Sequence, residues 1–385
     1  QGDRGRPCYA LAVVSPLQAL AMRRDTLGER HRSVAHSLQG LGTLYKTKGE
    51  YAKAVSYLTE ALSIRRVTDV DFPQYLGGNI TELAFVYALQ GEYTNAEELH
   101  REALSIYRTS SDSYTPFVVG SLINIAGVYQ LQNLYQDAEE LVVEAKQIHE
   151  NAFGSNTPQM AVINNNLALI YQEQLKYDEA IELLNQSLTI FDSSGLVGSQ
   201  NLYRSTTLNN LASIYQSKGE YSQSEQLLLE SLAISETYLE QGHPDLVSVL
   251  NNIALVYLKQ QKFKQAEEIF QGNLETDLEI FGEQAPQIAI SYSNLSAVYE
   301  AEGDVGKALA SLESALDAQE LSLNQNLASL PDSQRQFFAA GTLSTMNQAI
   351  SLHLRTVPDS KSAAELALTT VLRRKGRVIE SNINS

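Results

Sequence analysis

Tryptophan is missing from this chain of 385 residues, and cysteine occurs once, as Cys8. A lone thiol closes no intrachain disulfide and builds no cysteine-rich zinc site, which fits a reducing, cytoplasmic compartment. Cations are scarce: 28 Lys and Arg stand against 45 Asp and Glu, a formal net charge of −17. No basic stripe is available for a phosphate backbone, so nucleic acid is not an expected partner. There is no run of about 18 apolar residues to span a membrane, and no signal-peptide pattern at the start. The six histidines, His31, His36, His100, His149, His243 and His353, lack metal-ligand spacing such as HExxH. Gly303, Gly306 and Lys307 are too close together for a phosphate loop. Gly40-Leu41-Gly42 lacks the third glycine of a dinucleotide fingerprint. No catalytic residue, metal or cofactor is expected.

What the chain does have is a period. Tyr45, Tyr87, Tyr129, Tyr171, Tyr215, Tyr257 and Tyr299 follow one another at intervals of 42 residues, with a single interval of 44. Such a period marks a stack of similar supersecondary units. Four residues before each tyrosine stands Leu41, Leu83, Ile125, Leu167, Leu211, Ile253 or Leu295, and one residue before it another aliphatic residue. Three residues before it a small one recurs: Gly42, Ala84, Ala126, Ala168, Ala212, Ala254 or Ser296. Apolar positions at this spacing form a wide helical face, and the small residue admits a second helix at close range. We call this first helix of each unit helix A.

Four residues after the tyrosine, Gly49, Gly91, Asn133, Gly219 and Gly303 supply residues that accept the left-handed conformation ending a helix. Leu175 and Gln261 depart from the pattern, so those two turns are expected to close another way. A helix B follows, entered at an aromatic such as Tyr51, Tyr93 or Phe263. Pro116, Pro158, Pro244 and Pro286 fit the first turn of the next helix A, with Thr115 and Thr157 as expected caps.

The pattern L-A-x-x-Y-x-x-x-G-x-Y-x-x-A, followed by pairs such as Ala61-Leu62 and Ala103-Leu104, resembles the tetratricopeptide repeat, in the 42-residue variant of kinesin light chains and many bacterial proteins. The resemblance covers roughly residues 9 to 320 and implies an all-α, right-handed superhelical α-solenoid of helix hairpins. We expect a partial repeat (helix B only) over 1–31, seven repeats over 32–327, and a helical cap over 328–385. Pro16 would be costly inside a helix, so Ser15-Pro16 is expected to start one, leaving residues 1 to 14 loose. Two more helices are expected, one near 332–355 starting at Pro331 and one from Ser360 to Glu380. The segment holding "SLHL" and "AAELALTTVLRRKGRV" resembles the connector that joins such arrays to CHAT domains, caspase-like modules of bacterial and especially cyanobacterial proteins. That resemblance implies a downstream CHAT domain as a partner; separately, the sequence begins inside a unit without an initiator Met, and a truncated or engineered start is expected. The basic cluster Arg373, Arg374, Lys375 and Arg377 reads either as a solvated helix end or as its docking point.

The informative polar feature is a double column of asparagine. Asn124, Asn166, Asn210, Asn252 and Asn294 precede the tyrosines by five residues, and Asn165, Asn209 and Asn251 by six. Asn is a mediocre helix former, so registered copies in mid-helix need a reason. The tetratricopeptide pattern places the first column in the concave groove, where an amide, donor and acceptor at once, can grip an extended peptide backbone about every third residue. The alternative is that one or both columns bond to the neighbouring helix A and hold the units in register. The tyrosines themselves read as core residues with their hydroxyls reaching outward, or as a stacking platform for a ligand. Two function classes follow: a non-catalytic scaffold binding a partner's peptide segment in its groove, or an array that self-associates through an apolar edge at its N-terminal end.

Overall fold

The computed structural model describes residues 8–195, 198–283, 285–327 and 343–383; the side chains of 8–15 and 373–383 lie outside it, and with them Cys8 and the Arg373–Arg377 cluster, as does Pro331. The described residues are nearly all helical, with no strand among them. In chain order they form α1 (Cys8–Leu27), α2 (Arg32–Thr47), α3 (Tyr51–Thr68), α4 (Pro73–Leu89), α5 (Tyr93–Arg108), α6 (Thr115–Leu131), α7 (Tyr135–Phe153), α8 (Pro158–Glu173) and α9 (Tyr177–Ser193). Then come α10 (Asn201–Ser217), α11 (Tyr221–Tyr238), α12 (Pro244–Lys259), α13 (Phe263–Phe281), α14 (Pro286–Glu302), α15 (Val305–Leu327), α16 (Leu343–Ser351), a π-helical turn (Leu352–Thr356) and α17 (Lys361–Ile383). None of these helices is long and apolar enough to cross a membrane. The even-numbered helices from α2 to α14 are the A helices of successive hairpins, each carrying one ladder tyrosine.

Two compact units divide the chain. One holds residues 65–88 and 93–260, from α4 to α12; the other holds residues 1–64, 89–92 and 261–385. In the first, each hairpin packs on the next, and the A helices α6, α8, α10 and α12 touch in succession. The small residues of the repeat make this possible: Ala84, Ala168, Ala212 and Ala254 are wholly buried. In the second unit a Cβ added at Gly42 would stand 2.5 Å from Leu58, so α2 and α3 meet there without room for a methyl group.

The turns from A to B share one closure. In five of them the tyrosine carbonyl accepts the N–H five residues on: Glu50 to Tyr45 (2.9 Å), Leu134 to Tyr129 (2.9 Å), Lys176 to Tyr171 (2.8 Å), Glu220 to Tyr215 (2.8 Å) and Asp304 to Tyr299 (2.9 Å). This 6→1 bond requires a left-handed residue before it. Gly49, Gly91, Asn133, Gly219 and Gly303 supply it, and so, contrary to the sequence expectation, do Leu175 (φ 61°) and Gln261 (φ 62°). Two side chains that disfavour this region are held there by the geometry of the hairpin.

Two further expectations are corrected. Helix α1 runs through Pro16 from Cys8, so the proline is inside the helix. Thr115 is not a cap: it opens α6, and its hydroxyl donates to the Asp112 carbonyl. Thr157 does cap α8, accepting from the Met160 N–H at 3.1 Å, while the imidazoles of His31 and His243 cap α2 and α12. Near the C-terminus the expected start at Pro331 lies outside the described residues; helix is described from Leu343, the π-turn follows it, and α17 runs from Lys361 as expected.

Candidate peptide-binding face

The two asparagine columns lie side by side on the A helices, and they interlock. Asn165 is buried; its amide donates to the Ala161 carbonyl and to the Thr207 hydroxyl on the next helix A, both at 2.9 Å. Its Oδ1 accepts from Asn210 at 3.3 Å. One hairpin later Asn209 accepts from Asn252 at 2.9 Å. A second-column residue of one helix thus receives a first-column amide from the next. Asn166 donates to the Val162 carbonyl of its own helix at 2.8 Å. Asn251 has a partner of its own. Among the described residues Asn124 and, in the other unit, Asn294 have no side-chain hydrogen-bond partner.

Neighbouring polar side chains add to the lacing. Gln172 donates to Ser213 at 3.0 Å and to Ser217 at 3.3 Å, and Gln216 donates to the Asn252 carbonyl at 3.0 Å. After these bonds the face still carries half-buried, unspent groups: the Oδ1 atoms of Asn166, Asn210 and Asn252, and the whole amide of Asn124. These groups can accept or donate to a polar backbone; nothing about them suits proton transfer or metal binding. No group of three or more His, Cys, Asp or Glu among the described residues could hold a metal ion.

The ladder tyrosines are packing residues with a polar tip. Tyr129 donates to Glu97 (2.8 Å), Tyr171 to Glu139 (3.3 Å) and Tyr299 to Glu267 (2.7 Å), each glutamate lying 32 residues earlier on the preceding helix B. Lys176, just before α9, and Lys307 of α15 stand over the rings of Tyr171 (4.9 Å) and Tyr299 (4.8 Å). Burial raises the pKa of Tyr299, and its bond to Glu267 raises it further. Burial pushes the Glu97 carboxyl up, but hydrogen bonds from Arg101 and Tyr129 outweigh it and hold it below the usual carboxylate range. The clusters at Tyr171 and Tyr299 tie the preceding helix B, the helix A and the start of the next helix B together, while the one at Tyr129 joins α5 and α6 through Glu97 and Arg101. The sequence carried the signal, since the glutamates also recur at the repeat period, but only the fold puts them beside the tyrosines.

A tetratricopeptide repeat profile matches residues 17–66, 78–142, 117–193, 203–271 and 245–320. Among proteins with curated descriptions none matches the sequence. Several solved structures are similar. The nearly identical TPR-like repeats of a Podosopora anserina kinesin light chain share 26% identity over 54% of this chain and 97% of theirs, with a TM-score of 0.41. A Rap protein complexed with competence and sporulation factor shares 13% identity over 90% of this chain and 99% of its own, with a TM-score of 0.53. Aspartyl phosphate phosphatase F from Bacillus subtilis shares 16% over 83% of this chain and 77% of its own, at 0.55. At such identities the last two likenesses concern the fold alone.

Proposed function

The chain belongs to the tetratricopeptide repeat family, and on that premise we propose that it is a non-catalytic interaction scaffold whose A-helix face takes an extended segment of a partner protein. The supporting observation is the set of half-buried carboxamides, Asn124, Asn166, Asn210 and Asn252, left with unspent hydrogen-bonding capacity after the helices are laced together. The A helices in this row touch one another, which supports reading these amides as the concave side of the stack. Packed helices lie about 8–10 Å apart. A polyproline-II segment turns once per three residues and rises about 3.1 Å per residue, so it repeats its face about every 9 Å. A segment of about ten residues in that conformation would meet each amide in the same way. Asn165 and Asn209 serve as the scaffold that aims the first column, and Asn251 belongs with them; Asn294 continues the first column in sequence.

We read the array further as the recognition or regulatory arm of a CHAT-type protein, on the resemblance carried by the π-turn and α17. The test of the binding role uses unstructured peptides selected on the protein from a display library. Joint replacement Asn124→Ala and Asn166→Ala should weaken the selected peptide about tenfold or more, the worth of two hydrogen bonds. The melting temperature should hold, since neither amide links two helices. Asn165→Ala should do the reverse. Full affinity in the Asn124/Asn166 variant would leave the columns with a register-holding role alone. Sedimentation at several concentrations checks the scaffold against a self-stacking array, which would grow with concentration.

A further inference from the structure

The B helices of the first unit carry an ion-pair ladder of their own. Arg66 pairs with Glu102 at 2.9 Å and Arg108 pairs with Glu144, each arginine reaching from the end of one helix B to the middle of the next. The arginines lie 21 residues after Tyr45 and Tyr87, and the glutamates 15 residues after Tyr87 and Tyr129. One repeat on, the pair becomes Glu150 and Gln186, and the strut between α7 and α9 is gone. One repeat further it becomes Asp192 and Glu230, two acids. There the chain supplies a guanidinium from the floor: Arg204 of α10 bonds Asp192 at 2.9 Å and Glu230 at 2.7 Å. The residue corresponding to Arg204 on α8 is Met160, 11 residues before its tyrosine.

Between α7 and α9, where both the strut and the floor guanidinium are missing, lies a cavity of about 860 Å³. Glu150, Met160, Glu182 and Gln186 line it, with Lys146 and Asn164. Asn164 is 2% exposed and its Oδ1 has no hydrogen-bond partner. Its place is seven residues before the tyrosine, where the other hairpins of the unit hold Ile80, Leu122, Leu208 and Leu250. An unpartnered carboxamide in a core position is costly, and here it lines the cavity. Glu150 has no cationic partner among the described residues, and neither does Lys146 an anionic one. Asp178, also on the lining, is already paired with Lys218 at 3.1 Å. The unsatisfied groups are thus two acceptors, the Glu150 carboxylate and the Asn164 oxygen, and one cation, Lys146, above an apolar floor.

We propose that this cavity is a second binding site, separate from the asparagine face, which takes an arginine side chain of a partner polypeptide. Its guanidinium lies toward Glu150 and the Asn164 oxygen, and its aliphatic stem lies over Met160. In the next groove the chain's own Arg204 holds a guanidinium against Asp192, the counterpart of Glu150, and against Glu230, the counterpart of Gln186. A planar fork with five donors suits a carboxylate and an amide oxygen together better than an ammonium does.

The probe is an acetylated and amidated Gly-Ser-Arg-Ser-Gly pentapeptide, titrated calorimetrically at low salt beside its citrulline and lysine counterparts and beside N-acetyl-arginine amide. One equivalent of the arginine peptide should bind, with citrulline at least about tenfold weaker and lysine between them. Glu150→Gln, at an exposed position, should cost about tenfold. Met160→Arg should abolish binding by filling the site from within. Asn124→Ala should leave it unchanged. Should Met160→Arg impair folding, Glu150→Gln alone carries the test. Equal affinity for the citrulline peptide, or full affinity in Glu150→Gln, would overturn the proposal. N-acetyl-arginine amide should bind about as tightly as the pentapeptide, since only the arginine side chain enters the cavity.

Discussion

Leu175 and Gln261 sit with φ near 60° at the ends of α8 and α12, where five other turns use glycine or asparagine. A left-handed conformation costs an ordinary residue about 1–2 kcal/mol, and 71% of the Leu175 side chain is exposed, so little packing offsets it. Leu175→Gly should therefore raise stability by about 1 kcal/mol, net of the greater freedom glycine has when unfolded. A shift of the urea midpoint at unchanged slope measures it; destabilisation would mean the turn prefers its leucine. His100 is a second local conflict. It is 1% exposed, packs edge-on against Phe85 at 5.3 Å, and both ring nitrogens lack a partner. The corresponding places hold Leu58, Val142, Leu184, Leu228, Phe270 and Leu312. Burial lowers its pKa to about 4 from 6.5. Between those pH values the unfolded chain binds a proton that the folded chain refuses, so stability is intact above pH 6.5 and falls as pH drops toward 4. The loss is about 3 kcal/mol for a shift of this size. His100→Leu should remove that component and raise stability at neutral pH. The difference between the two proteins' pH–stability curves is the readout, and parallel curves would contradict it.

At the scale of helices, the tyrosine clusters hold consecutive hairpins together. Tyr299→Phe should cost about 1 kcal/mol, and a double-mutant cycle with Glu267→Gln should return a coupling of about 0.5–1.5 kcal/mol. Additive effects would show the hydroxyl bond to be idle. The hairpins themselves were legible in the sequence because apolar spacing, small residues and turn glycines all recur at one period. The exceptions were the places where tertiary geometry overrides local preference. Leu175 and Gln261 follow their neighbours' turn, and Pro16 is absorbed into α1. Thr115 loses the cap role because the short turn Asp112–Tyr114 already delivers the chain into α6.

At the scale of the molecule, two rows of helices offer two different surfaces. On the A row, the asparagine columns could be read from sequence as positions, and bonding to the neighbouring helix A as one alternative, but not which amide bonds which. That Asn210 spends its donor on Asn165, and Asn252 on Asn209, depends on how far one helix lies from the next. On the B row, the Arg66 and Arg108 struts and the cavity beside Asn164 were invisible to a reading centred on the tyrosines, although both recur or fail at the same period. The central claim is that the A row binds the partner's extended segment. Amide hydrogen exchange on the chain, free and bound to a display-selected segment, tests it most directly. The account predicts new protection in α6, α8, α10 and α12; protection confined to α7, α9 and α11 would contradict it.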